Sequence, residues 1–78
     1  MPLPRLNDER VLEATAELAG DGYCLVPELI AALPRRTHAD RRRAIKRSVN
    51  RGLLIERRGL DGRARVALSA EGWRILRS

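Results

Sequence analysis

The sequence predicts an α+β fold, mainly α with a small β-hairpin. Four segments carry helix signals, with apolar residues three and four positions apart or with capping residues at their ends. A fifth segment, 54–68, contains an Asp-Gly turn signal, and after it residues 63–68 (RARVAL) alternate between two faces. At 78 residues, the chain is expected to form a single domain, 1–78, with one thin core built mainly from aliphatic side chains.

The first helix is predicted over residues 8–19. Asn7 or Asp8 can cap it, and the acidic residues of its first turn suit the helix dipole. Gly20 ends it, because glycine tolerates the positive φ that helix C-termini often need. The segment 23–26 is apolar and short, so it is compatible with either a brief strand or an extended link.

Two further helices are predicted with a tight turn between them. Pro27 suits the first position of a helix over 27–33, and Pro34 prevents that helix from continuing. After a turn of about three residues, Thr37 can cap a third helix over 38–51.

The rest of the chain is predicted to form a hairpin and a terminal helix. Strands of about 54–58 and 63–68 flank the Asp-Gly turn, and Ser69 caps a helix over 70–77. Two short helices joined by a tight turn make a helix-turn-helix, and a hairpin directly after them supplies a wing. The element order therefore predicts a winged helix-turn-helix.

The charge is concentrated in the centre of the chain. Residues 1–34 hold two basic and six acidic side chains, whereas residues 35–65 hold twelve basic and three acidic ones. The formal net charge is +6. A field of this shape orients a molecule toward a polyanion, and a helix that follows a tight turn is placed to enter a DNA major groove. Double-stranded DNA is therefore the expected partner.

The third helix sorts its charges by face. With Ile45 at the centre of the buried side, Arg41 and Arg42 fall on its flanks, where we expect them to extend to solvent or to pair with an acid. The opposite face carries Arg43, Lys46, Arg47 and Asn50.

Motifs of the second half resemble a known family. Residues 51–59 read RGLLIERRG, residues 61–63 read DGR and residues 68–72 read LSAEG. These motifs resemble the winged-helix domains of MarR-type transcription regulators over about residues 26–76. The resemblance implies a winged-helix fold, with Asp61 and Arg63 as a D-x-R pair whose arginine reaches the minor groove. It does not extend to the family's dimer, ligand response or operator type, since counterparts of its long dimerisation helices are not found in the sequence.

The predicted DNA-binding residues come from the start and face of the third helix and from the hairpin. Arg36 and Thr37 at the helix start, and Arg58 and Arg65 of the hairpin, are expected on phosphates. His38 either contacts a phosphate or is an exposed bystander. Side chains of the helix face are expected on base edges and flanking phosphates. The predicted set is Arg36, Thr37, His38, Arg43, Lys46, Arg47, Asn50, Arg57, Arg58, Arg63 and Arg65.

Several classes of function are not expected. One cysteine and one histidine are too few for an internal disulfide or a structural zinc site, and Cys24 is expected as a small buried hydrophobe. Neither a catalytic constellation nor a nucleotide-binding glycine pattern is found, so an enzyme, a cofactor and a small-molecule substrate are not expected. Without a signal-like or membrane-spanning stretch, a cytoplasmic protein is expected, nucleoid-associated if the source is bacterial.

Two rivals to DNA binding stay open. One is a winged-helix protein-interaction module whose basic face meets an acidic protein. The other is RNA binding, for which one tyrosine and one tryptophan offer little stacking surface. For a DNA-binding domain, transcription regulation is the expected use. A plasmid, phage or recombination accessory role is also consistent with the sequence. A homodimer is compatible with so small a core.

Overall fold

The computed structural model describes residues 7–34 and 37–78 of the chain. These residues form four helices and a three-stranded antiparallel sheet, an α+β architecture. In chain order the elements are α1 (Asp8–Ala19), β1 (Cys24–Leu25), α2 (Val26–Ala32), α3 (His38–Asn50), β2 (Leu54–Arg58), β3 (Ala64–Leu68) and α4 (Ala70–Arg77).

The α1 helix is capped by Asn7, not by Asp8. The Asn7 side-chain oxygen accepts a hydrogen bond from the Arg10 N–H at 2.9 Å, which satisfies one of the free donors of the first turn. On the buried face, Thr15 is fully enclosed and its hydroxyl donates to the Val11 carbonyl at 2.7 Å. Since Asn7 supplies the cap, the Asp8 carboxylate is left to make other contacts.

The two central helices differ slightly from their predicted bounds. The α2 helix starts at Val26 and ends at Ala32, one residue earlier at each end than predicted, with proline in its first turn. The α3 helix ends at Asn50, and Arg51 is its C-terminal cap, donating its backbone N–H to the Arg47 carbonyl at 3.0 Å.

The sheet has the order β1-β3-β2, so the last strand in sequence lies in the middle. Strand β1 pairs with β3 through Cys24 and Val66, and β2 pairs with β3 from Leu54–Leu68 to Arg58–Ala64. Within segment 23–26, for which the sequence allows either a strand or an extended link, Cys24–Leu25 therefore forms a two-residue edge strand.

The α4 helix docks on the loop between α3 and β2. Ser69 caps it, accepting the Gly72 N–H at 3.0 Å, and the Ser69 hydroxyl donates to the Gly52 carbonyl at 2.6 Å. Gly72 itself lies against the Leu53 carbonyl, so closely that any added Cβ would collide with it. Trp73 of this helix is half-buried against the core, and the Arg77 guanidinium lies 5.3 Å from the centre of its ring.

The core is aliphatic and lies between the helices and one face of the sheet. Cys24 is part of it, 5% exposed, and burial together with the nearby Glu28 charge raises the pKa of its thiol. The other buried apolar residues of the cluster are Val11, Leu12, Leu29, Ile30, Leu33, Ala44, Ile45, Leu53, Leu54, Val66 and Leu68.

Candidate nucleic-acid interface

The start of α3 is fixed by a side-chain cap. The Thr37 hydroxyl oxygen accepts the Asp40 N–H at 3.1 Å, as the sequence predicts for this position. His38 follows as the first helical residue and is exposed. Arg36, which the sequence places on the DNA backbone, lies outside the described residues.

The buried side of α3 is rotated from its predicted direction. Ala44 and Ser48 are buried together with Ile45, and Ser48 is completely enclosed. These two residues are small, which lets α1 approach α3 closely. On an ideal helix they move the centre of the buried side by about 50° away from Ile45. The rotation brings Arg42 onto the exposed face, and it moves Arg47 to the flank that faces α1.

Arg47 is therefore not presented as the sequence predicts. Its Nε donates to the Asp8 carboxylate at 3.4 Å, and its side chain is 33% exposed. Ser48 donates to the same carboxylate at 3.0 Å, and Arg51 donates to it at 2.5 Å. The first turn of α1 thus holds one flank of α3 through three hydrogen bonds to a single aspartate.

The environment of Asp8 has opposing effects on its pKa. Burial by itself raises the pKa of this carboxyl, since it disfavours the charged form. The hydrogen bonds from Ser48, Arg51 and Arg47 outweigh burial, and the net pKa lies below the ordinary value. Asp8 is therefore ionised at neutral pH and serves as the counter-ion of two arginines.

The exposed face of α3 lines a groove of about 380 Å³ between this helix and the β2–β3 hairpin. We call it the helix–hairpin groove. Cations predominate along it, and Glu56 is its single acidic side chain among the described residues. Its polar and charged members are Arg42, Arg43, Lys46 and Asn50 from α3, with Glu56 and Arg58 from β2.

The alternation of β2 explains which hairpin side chains reach this groove. Glu56 pairs with the buried Val66 and Arg58 pairs with Ala64, so both lie on the sheet face that α3 covers. Arg57 lies on the opposite face, where its guanidinium is 5.8 Å from the centre of the Tyr23 ring. Of the two adjacent arginines, only Arg58 shares a groove with α3.

A second groove, of about 760 Å³, lies between α2, the start of α3 and the end of the hairpin. Its floor is apolar, formed by residues such as Pro27 and Ile30, and its rim carries His38, Arg42 and Arg63. Arg41 also lines it and donates to the Ile30 carbonyl at 2.9 Å, so its partner is a carbonyl and not an acid. Through this bond α3 holds the C-terminal half of α2.

The hairpin turn is built around Asp61. Its carboxylate accepts the Arg63 backbone N–H at 3.0 Å, and the Arg65 guanidinium donates to both of its oxygens at 3.0 and 2.9 Å. The side-chain partner of Asp61 is thus Arg65, two residues beyond the arginine of the D-x-R pair. The Arg63 side chain is exposed and makes no hydrogen bond or ion pair to another residue of the described ranges.

These contacts favour the charged form of both partners, so the two pKa values move in opposite directions. The hydrogen bond from Arg65, and next that from the Arg63 backbone, hold the pKa of Asp61 well below its usual range. In turn the hydrogen bond with Asp61 raises the pKa of Arg65. At neutral pH the pair is fully ionised, and Arg65 is less available to an external phosphate than Arg63.

Sequence reasoning missed two members of the helix–hairpin groove, Arg42 and Glu56. Arg42 falls on a flank when the buried side is centred on Ile45, the largest apolar residue of the helix. The small size of Ala44 and Ser48 was the available signal, since small residues mark where another helix packs. Glu56 could have been found from strand alternation once Leu54 was placed inward.

Helix length and the grouping of possible metal ligands also bear on the class of site. Within residues 7–34 and 37–78, no helix combines the length and apolar character needed to cross a membrane. Across the same residues, histidine, cysteine, aspartate and glutamate side chains nowhere gather in a group of three that could hold a metal ion. Comparison with protein-family models, curated proteins and solved structures finds no match to this chain.

Proposed function

We propose that this chain is a small winged helix-turn-helix protein that binds double-stranded DNA and regulates transcription. In this proposal α2 and α3 are the helix-turn-helix, α3 is the recognition helix in the major groove, and the β2–β3 hairpin is the wing. The observation that carries the proposal is the helix–hairpin groove, where cations from α3 and from the hairpin line one surface.

The chemistry of this groove suits a duplex. Arginine makes paired hydrogen bonds to guanine and asparagine does so to adenine, so Arg43 and Asn50 are proposed to contact base edges. Lys46 supplies a compact charge and Arg58 a planar guanidinium for flanking phosphates. Glu56 can accept from the cytosine amino group, and it also repels misplaced phosphates.

Arg47 and Arg65 receive different roles in this proposal from those predicted by sequence. Arg47 bonds Asp8 and so helps to orient α3 against α1. Arg65 bonds Asp61 and so shapes the hairpin turn. Arg42 and Arg63, on the rim of the second groove, take their places beside the phosphate backbone.

A salt series tests the class of partner. Binding of random-sequence duplex DNA to the full chain is measured by fluorescence anisotropy at increasing salt. Six phosphate contacts predict a slope of about −5 for the logarithm of the binding constant against the logarithm of salt concentration, because each contact releases condensed counterions. Absent or salt-independent binding would contradict the proposal and favour a protein partner instead.

Site selection from a random duplex pool then separates specific from non-specific binding. A DNA reader enriches a defined sequence, whereas a merely basic surface enriches none. A palindromic sequence would further indicate a two-fold dimer on the DNA.

A pair of matched variants tests the proposed face. Arg43 and Arg74 are both 77% exposed, and each pairs with an acid three residues earlier on its helix, Asp40 and Glu71, at 3.5 and 3.4 Å. Arg43→Ala is expected to weaken binding to the selected site by about 1 to 3 kcal/mol, and Arg74→Ala, on α4, to leave it nearly unchanged. Equal losses would mean that the face is assigned wrongly.

A further inference from the structure

The tip of the hairpin presents one apolar side chain, Leu60, entirely to solvent. Its relative exposure is 111%, more than that of a leucine in an extended reference peptide. The other large apolar residues on the surface of the described chain, such as Ile55 at 41%, are only partly exposed. A single exposed leucine is ordinary on a protein surface, so a role for Leu60 depends on the shape and charge of the turn around it.

The turn that carries Leu60 is held by backbone hydrogen bonds on both sides. The Gly59 N–H donates to the Arg63 carbonyl, and the Gly62 N–H donates to the Gly59 carbonyl, both at 2.9 Å. Gly62 has a φ of 79°, the left-handed conformation that a tight turn needs here. Leu60 therefore projects from a closed, hydrogen-bonded turn.

Side chains reinforce this turn. Arg58 donates to the Gly62 carbonyl at 2.6 Å, and Arg65 lies across the turn to reach Asp61. A Cβ on Gly59 would collide with the end of the Arg65 side chain, so the absence of a side chain there leaves room for this contact. These contacts restrain the loop tip before it meets a partner, which reduces the entropy that binding must remove.

The charge around Leu60 favours a polyanion on both sides. Arg58 precedes it and Arg63 follows it, while the one acid of the turn, Asp61, is neutralised by Arg65. A leucine flanked by cations suits the minor groove of a duplex, where two phosphate strands border a narrow channel of base edges and sugars. An apolar pocket of another protein would offer no partner for these cations.

We propose that Leu60 enters the minor groove and wedges between two base pairs, unstacking them in part and bending the duplex, while Arg58 and Arg63 hold the two bordering strands. This inference rests on the proposed function and adds to it a deformation of the DNA. Apolar wedges of this kind open base steps and bend the duplex toward the major groove, and steps that unstack easily accept them best. Leu60 thereby makes the hairpin sensitive to DNA flexibility, without any hydrogen bond to a base.

The test measures bending and affinity in the same samples. A short duplex with a central TA step carries a donor and an acceptor dye on its ends, and a second duplex has a stiff A-tract in place of that step. Wild-type protein is expected to bring the ends of the TA duplex closer together and to bind it more tightly than the A-tract duplex. Leu60→Ala is expected to abolish the shortening and to weaken binding to the TA duplex by at most about tenfold, because the cost of unstacking offsets much of the gain from burying a leucine.

Two control variants separate the wedge from general effects. Ile55→Ala removes another exposed apolar side chain of the hairpin and is expected to change neither bending nor affinity. Arg63→Ala is expected to lower the slope of the salt dependence by about one, whereas Leu60→Ala leaves that slope unchanged, because it removes no counterion release. Since Leu60 has no contacts in the core, the unfolding temperature of Leu60→Ala should match that of wild type.

The outcomes distinguish this inference from the function on which it rests. If wild-type protein binds duplex DNA with a steep salt dependence but Leu60→Ala binds and bends it equally, the wedge is wrong and DNA binding stands. Weaker binding by Leu60→Ala with unchanged bending also overturns the wedge. If the wild-type chain does not bind duplex DNA at all, the proposed function fails and the wedge fails with it.

Discussion

Asp8 and Asp61 both act as counter-ions to arginines of the basic segment 35–65, yet they do so over very different distances along the chain. Asp8 bonds residues 39 to 43 positions away and joins α1 to α3. Asp61 bonds residues two and four positions away, all inside one hairpin. The Asp8 side chain is 17% exposed and that of Asp61 is 46% exposed. The first aspartate therefore belongs to the tertiary structure, and the second belongs to a local turn.

The difference shows how one charge pattern serves two purposes. Around Asp8 the ion pairs join α1 to one flank of α3 and help to hold the helix in the orientation that its buried side sets. Around Asp61 they hold the shape of the hairpin turn through contacts to Arg63 and Arg65, both in the same hairpin. Four predictions separate these two roles.

The largest expected effect is that of Asp8→Asn on global stability. The change removes the charge that accepts hydrogen bonds from Arg47, Ser48 and Arg51, and hydrogen bonds to charged groups are among the stronger ones. We expect the free energy of unfolding to fall by about 1 to 3 kcal/mol in urea denaturation. Glu9→Gln is the control, because Glu9 is an exposed acid of the same first turn. If both variants lost the same stability, the contribution of Asp8 would come from the helix dipole and not from its hydrogen bonds.

The second prediction concerns pH. The pKa of Asp8 is lower in the folded protein than its value of about 3.9 in an unfolded chain. As the pH falls, the unfolded chain therefore takes up a proton at Asp8 before the folded protein does. The stabilisation from Asp8 is complete above about pH 5 and is lost as the pH falls through the folded-state pKa. The stability difference between wild type and Asp8→Asn should shrink below about pH 4 when unfolding is followed across pH. A difference that stayed constant into acid would contradict the ionic role.

The third prediction divides the Asp8 cluster between its arginines. Arg51 makes the shorter contact but is 60% exposed, whereas Arg47 is 33% exposed. Solvent screens the exposed pair, so Arg51→Ala should lower the free energy of unfolding by no more than about 1 kcal/mol, and less at high salt. Arg47→Ala should cost more and depend less on salt. The opposite order in denaturation at low and high salt would show that distance outweighs exposure here.

The smallest expected effect on stability is that of Asp61→Asn. Because Asp61 acts within an exposed turn, we expect the midpoint of global unfolding to remain unchanged within error. Amide hydrogen exchange should nevertheless become faster at Arg63, whose N–H loses its charged acceptor. A drop in global stability comparable with that of Asp8→Asn would show that the hairpin tip and the core unfold together.

The contrast between the two aspartates also marks what sequence can predict. The helix ends follow from local signals such as the Thr37 and Ser69 caps and the helix-breaking Pro34, which act within one turn of the chain. The turn at Asp61 and Gly62 is equally local, and the hairpin forms where that signal predicts it.

Long-range contacts were beyond the same reasoning. A two-residue strand has no periodicity, so the pairing of Cys24 with Val66 and the central place of β3 could not be derived. The bond between Asp8 and Arg47 depends on how α1 crosses α3, which small residues such as Ser48 permit but do not by themselves determine. Those contacts, more than the helix bounds, decide which side chains of α3 reach the helix–hairpin groove.

The single thiol of the protein lies where β1 meets the centre of the sheet. Cys24 is buried, and its edge strand is only two residues long. A cysteine-specific reagent can therefore reach this thiol only when the structure around it opens. The rate of labelling under native conditions therefore measures how often that opening occurs, and the measurement needs no engineered cysteine.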